Sequence, residues 1–201
     1  MRSQRQTKTE VVVDFRRAQI LEAARQNFVK RGVAATTVDA VAKAAGVAKG
    51  TVYLYFDSKD AILRDILTQD LQEFQDCTLS AIRRPGPARA RVDAYLRAAL
   101  EFFERKRDFF EQCHREMTPA AQAKAKAQLG VVFAAQTDAW RDALTGTAAA
   151  MAGADAEGLG RAIVSLAHGL ALQRLRGWQT ASIDDTVATA SHLVLKGIGR
   201  A

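Results

Sequence analysis

Proline is almost missing from this chain, with three in 201 residues, at positions 85, 87 and 119. So few helix breakers leave long stretches free to form uninterrupted helices. Cysteine is scarcer still. Cys77 and Cys113 stand alone, and neither has metal-ligand spacing, which excludes a disulfide scaffold and a cysteine-rich zinc site. None of the three histidines, His114, His168 and His192, pairs with another ligand type at a useful helical spacing. No metal centre, bound cofactor or catalytic triad is therefore legible, and the chain is not expected to be an enzyme. No run of roughly 18 apolar residues occurs, so no membrane span is expected. Residues 1–10 are polar and basic, without the apolar stretch of a secretory signal, and the expected compartment is the cytoplasm. No segment shows sustained apolar–polar alternation with β-branched enrichment, which argues against a sheet.

What is present is helix-forming composition, rich in Ala, Leu, Arg, Gln and Glu. The apolar spacing predicts an all-α protein of about nine helices. Residues 1–13 read as a flexible basic arm. The first helix is expected from Asp14 to Arg31, burying Ile20, Leu21, Ala24 and Phe28, with Gly32 ending it. Two short helices follow. A long helix over 59–83 carries the stripe Leu63, Ile66, Leu67, Leu71, Phe74, Cys77 and Ile82, and Pro85-Gly86-Pro87 breaks it. Further helices are expected at 88–106, 108–117, from Pro119 through Trp140, at 159–178 and at 183–198. The predicted division is an arm (1–13), an N-terminal three-helix domain (14–58) and a C-terminal helical domain (59–201).

Charge is distributed unevenly along the chain. Residues 1–64 hold 12 Lys and Arg against 6 Asp and Glu, whereas residues 65–201 hold 17 against 16. A basic first third attached to a near-neutral body points to a polyanion partner for the first third, or else to a solvated basic tail.

The stretch 36–56 decides between these. Thr36 or Thr37 is placed to cap a helix, and Thr36 with Asp39 resembles a capping box. Val38, Val41, Ala42 and Ala45 then fall on one face, and Gly46 stands where that helix must stop in a left-handed conformation. A second helix of about two turns, 49–56, turns Val52 and Phe56 inward. Its outward positions are Lys49, Gly50, Thr51, Tyr53 and Tyr55. A cation, a glycine, a hydroxyl and aromatic rings on one short helix suit docking in the DNA major groove. Lys49 can meet a phosphate or guanine edge, Gly50 permits close backbone approach, and Thr51 or Tyr53 can touch a thymine methyl.

The run from Thr37 to Asp60, with Ala45-Gly46-Val47 and Lys49-Gly50-Thr51-Val52-Tyr53-Leu54-Tyr55-Phe56 at its centre, closely resembles the signature of the TetR (AcrR-like) family of bacterial regulators. The resemblance extends in detail over about residues 14–74, with its helix-turn-helix motif at 37–56. It implies DNA-surface roles for Thr37, Lys49, Gly50, Thr51, Tyr53, Tyr55 and Lys59. It also implies a homodimeric repressor on a palindromic operator, released by a small apolar or amphipathic effector held by the C-terminal domain. Activation rather than repression, or DNA binding without a ligand, stays open. One position departs from the pattern. Ala48 stands where Ser or Thr commonly caps the recognition helix, and alanine cannot accept that hydrogen bond.

In the C-terminal part, aromatic and polar residues concentrate in the middle helices. Tyr95, Phe103, Phe110, Cys113, His114, Phe133, Trp140 and His168 are the candidate effector contacts, the plain alternative being ordinary core. Ile163, Leu166, Leu170, Trp178, Ala190, Leu193 and Val194 on the last two helices are the candidate dimer interface, the alternative being burial within one subunit. Arg2, Arg5 and Lys8 in the arm are either solvated or reach a minor groove.

Overall fold

The computed structural model describes residues 8–116, 119–145 and 155–198, and among these nine helices and no strands occur. They group into two compact units. The first holds α1 (Lys8–Arg31), α2 (Val38–Ala44), α3 (Lys49–Tyr53), the start of α4 (Lys59–Arg83) as far as Asp70, and α6 (Arg107–Glu116) from Asp108 onward. The second holds the rest of α4 from Leu71, α5 (Ala88–Arg105), α7 (Pro119–Leu144), α8 (Ala156–Leu175) and α9 (Ile183–Ile198).

Several boundaries differ from the sequence reading, and α8, expected at 159–178, ends at Leu175 and leaves Trp178 beyond its end. Helix α1 begins at Lys8 rather than Asp14, so the part of the predicted arm that is described is helical. Residues 8–13 contain no Gly or Pro, and extending a helix already nucleated downstream costs little. Arg2 and Arg5 lie outside the described residues. The division between units falls at Asp70 inside α4, not at residue 59, and α6 belongs to the first unit. The reason is visible in α6 itself. Phe109 and Cys113, one turn apart, are both buried in the cluster built by Ile20, Ala24, Phe28, Val41, Val52, Phe56, Ile62 and Ile66. Chain order had grouped α6 with its neighbours, but its apolar edge packs elsewhere.

The first unit is closed by one ion pair that periodicity does not reveal. Asp70, 2% exposed, accepts from both guanidinium nitrogens of Arg25, at 2.8 and 2.7 Å. The same guanidinium lies 4.6 Å over the Phe109 ring. Arg25 thus binds α1, α4 and α6 together. Arg17 likewise pairs with Asp65 and stacks over Phe56.

In the second unit α8 packs against α7 and α5, and α9 packs against α5. α8 starts at Asp155, whose carboxylate caps the amides of Glu157 and Gly158. The α7–α8 crossing is close because residue 160 is glycine. A Cβ there would lie 2.9 Å from the Trp140 Cβ and 3.1 Å from the Thr137 carbonyl. Rings stack along the core, Phe74 with Phe102 at 5.1 Å and Tyr95 edge-on to Trp140 at 5.5 Å. No helix among the described residues is long and apolar enough to cross a membrane.

Candidate nucleic-acid interface and buried polar core

The helix-turn-helix forms as its residues demand. Thr37, not Thr36, caps α2, its hydroxyl accepting from the Ala40 amide at 3.2 Å. Thr36 turns inward and donates to the Gly32 carbonyl at 2.7 Å, so the expected Thr36–Asp39 box does not form. Gly46 has φ +65°, the left-handed turn that ends α2. Val52 is fully buried, and Phe56 nearly so, beneath α3. α3 itself is shorter than expected and ends at Tyr53, where the Leu54 amide turns back to the Gly50 and Thr51 carbonyls. Ala48 supplies no side-chain cap.

Each candidate DNA residue has a distinct setting. Lys49 is exposed, 2.9 Å from the Asp39 carboxylate, and the hydrogen bond and charge of that carboxylate raise its amine above its ordinary value. Gly50 is exposed, and a methyl group there would meet nothing within 4 Å. The fold therefore does not require glycine at this position. Tyr53 is exposed and Thr51 half-buried. Leu54, which the sequence reading passed over, is 82% exposed at the end of α3. Tyr55 and Lys59 are less free than expected. Tyr55 packs in part against the domain core, and the Lys59 ammonium donates to the carbonyls of Val33 and Ala34 at 2.6 and 3.0 Å. Lys49, Gly50, Thr51, Tyr53 and Leu54 thus form one contiguous outward segment.

The candidate effector contacts divide between the units. Phe110 and Cys113 sit with the first unit's core, where burial pushes the Cys113 thiol up to about 12. The His114 side chain lies outside the described residues. Tyr95, Phe103, Phe133, Trp140 and His168 are in the second unit. There Thr78, Gln136 and Tyr95, all buried, form a chain. The Tyr95 hydroxyl donates to Gln136 Oε1 at 2.8 Å, Gln136 Nε2 donates to Thr78 Oγ1 at 2.8 Å, and Thr78 donates to the Phe74 carbonyl. Burial pushes the Tyr95 phenol well above its ordinary value. In the same unit, the Trp140 Nε1 and His168 Nδ1 are buried without a hydrogen-bond partner among the described residues. His168 stands edge-on to Phe133 at 4.8 Å, and burial lowers its imidazole. Sequence reading found the aromatics but missed Thr78 and Gln136, because a lone Thr and Gln on an amphipathic helix carry no signal until their partners are known.

The dimer candidates also divide. Ile163 and Ala190 are buried within the chain, where α8 packs on α5 and α7 and α9 packs on α5. Trp178 (72% exposed, beneath the Arg176 guanidinium) and Leu193 (64%) lie open, with Leu166, Leu170 and Val194 half-buried.

This arrangement defines an all-helical protein with an N-terminal helix-turn-helix and a separate helical body. Residues 20–66 match the family model described as bacterial regulatory proteins, tetR family. It is similar to the HTH-type transcriptional regulator YhgD of Bacillus subtilis (strain 168), with 40% identity over 87 residues, 43% of this chain and 46% of YhgD. It is also similar to the HTH-type transcriptional activator FasR of Mycolicibacterium smegmatis, with 31% identity over 132 residues, 66% of this chain and 60% of FasR. Neither match spans two thirds of the relative's own length, and the YhgD match spans less than half. The fold as a whole resembles a TetR/AcrR-family regulator from Thermobifida fusca, at TM-score 0.67 and 21% identity, covering 92% of this chain and 99% of that one.

Proposed function

We propose that the chain is a sequence-specific DNA-binding transcriptional regulator, acting as a repressor that a small apolar or amphipathic ligand releases from a palindromic operator. The observation that carries the DNA-binding part is Gly50. Nothing inside the domain needs a glycine there, yet it lies between Lys49 and Tyr53 on the exposed helix. A backbone that must approach a groove floor explains the residue, and intramolecular packing does not. Lys49 exchanges Asp39 for a phosphate or guanine, while Thr51, Tyr53 and Leu54 offer methyl and ring contacts to thymine. Two copies, joined through the open faces of α8 and α9 around Trp178 and Leu193, present two such helices to half-sites about one turn apart.

The effector is assigned to the second unit, near Phe133, Trp140 and His168, where buried donors lack partners. α4 contributes to both units, and a ligand that shifts its far half provides the coupling to the DNA-reading domain. FasR, a relative named as an activator, supports a second reading in which the same protein activates.

The test is a binding titration on duplexes selected from a random pool. Gly50→Ala keeps or raises thermal stability but weakens binding, and Tyr53→Ala costs about 1–3 kcal/mol of binding. Full affinity in both variants would remove α3 from the interface. Transcription from the selected sequence, with and without the protein, then separates repression from activation.

A further inference from the structure

A groove of about 540 Å³ lies on the second unit, between the end of α4, the turn after it, and one side of α7. Its walls are two-sided in chemistry. Ile82, Pro85, Ala135, Ala139 and Ala143 give an apolar side, and Arg83, Arg84 and Arg91 bring three guanidinium groups. Asp138 and Asp142 also line it, but both are engaged by Arg141, at 2.7 and 3.4 Å. Counting Arg141, four guanidinium groups stand against two carboxylates, so the groove keeps a net positive charge. Arg83 and Arg84 are exposed and have no ion pair or hydrogen bond among the described residues. Arg91 spends one terminal nitrogen on the Ala143 carbonyl at 3.2 Å, while its Nε is buried without a partner. An orphaned guanidinium donor out of water is costly unless an acceptor arrives. α5, which carries Arg91, has neither a side-chain cap nor an acidic residue in its first turn, so the positive end of its dipole is also unopposed.

We propose that this groove binds an amphipathic organic monoanion, with a carboxylate held by Arg83 and Arg84 beside the charge of Arg91 and an apolar body lying along Ala135, Ala139 and Pro85. Guanidinium forks match a carboxylate's two oxygens in a way that a water shell does not. The volume falls within the roughly 300–1,000 Å³ of small-molecule sites. The site shares no residue with the aromatic core assigned to the effector, and it stands whether or not the chain regulates transcription.

Calorimetry on the full chain without DNA tests it, with octanoate, 1-octanol and inorganic phosphate as probes. Octanoate binds once per chain, and 1-octanol and phosphate each bind at least tenfold more weakly, because each lacks half of the recognition. Arg83→Ser with Arg84→Ser, both at exposed positions, leaves the melting temperature unchanged and weakens octanoate at least tenfold. Arg91→Lys, which keeps the charge but loses Nε, weakens it by a smaller factor. Four results would each overturn the proposal: no heat with octanoate at about 10 mM, an unchanged affinity in the double variant, octanol binding as well as octanoate, or phosphate doing so.

Discussion

The two units place their polar groups in opposite ways. In the first, the buried polar side chains Asn27 and Thr36 bond to nearby carbonyls and Asp70 pairs with Arg25, and the polar side chains of α3 face outward with little in the protein to hold them. In the second, the surface of α8 and α9 exposes Trp178 and Leu193 while hydroxyl, amide, indole and imidazole groups are buried. A large polyanion can be met only at a surface, so polar atoms meant for it stay solvated until contact. Polar atoms inside a helical body are costly to bury, and they persist where they satisfy one another or where something small enough to enter satisfies them. Under the proposed function, the contrast matches a face open to a macromolecule and an interior suited to a small molecule.

The largest expected effect comes from breaking the first unit's one buried ion pair. Asp70→Asn leaves Arg25 without its bidentate partner and lowers unfolding free energy by about 3 kcal/mol in a denaturant titration. A loss within experimental error would show that the apolar cluster alone holds α1, α4 and α6. Next is the amide at the centre of the second unit. Gln136→Leu leaves the buried Tyr95 hydroxyl without its acceptor and removes the donor to Thr78, at a cost of about 2 kcal/mol. Adding Tyr95→Phe recovers part of that loss, and strictly additive losses would mean that the three groups do not act as a chain.

A smaller effect, of opposite sign, belongs to the recognition helix. Ala48→Ser supplies the missing cap and stabilises the domain by about 1 kcal/mol, read as a rise in melting temperature.

The smallest is a pH effect. Burial holds the His168 imidazole below its ordinary value, so below about pH 6.5 the unfolded chain takes up a proton that the folded chain refuses. The stability from neutral His168 is complete above that pH. It declines as pH falls toward the folded value, below which the loss levels off. His168→Asn removes this part of the slope between pH 7 and 5. Parallel melting curves for the two proteins would show that His168 does not titrate differently on folding.

Much of this contrast was visible in the sequence, but unequally. The helix-turn-helix was legible because its constraints are local. Gly46 must turn left-handed, Val52 and Phe56 must face inward, and what remains of the short helix must face out. Helix order was legible for the same reason, since Pro85-Gly86-Pro87 and the apolar stripes act within a few residues. The domain boundary was not legible. Membership of α6 in the first unit depends on Phe109 and Cys113 meeting residues some 50 to 90 positions earlier in the chain, and a periodic pattern says which face is buried but not against what. The basic excess was also over-read as a single feature. Arg17, Arg25 and Lys59 count toward it, yet each is bound within the domain. Ile163 and Ala190 show the same limit, because an apolar stripe looks alike whether it meets its own chain or a second copy.

Lys59 carries a consequence for how such a domain changes over generations. Its ammonium closes the turn after α1 by holding the Val33 and Ala34 carbonyls. A residue tied to the backbone in this way cannot be exchanged to suit a new target without loosening the turn. Under the proposed function, changes in operator preference run through Lys49, Thr51, Tyr53 and Leu54, while Lys59 supplies one positive charge that is indifferent to base sequence.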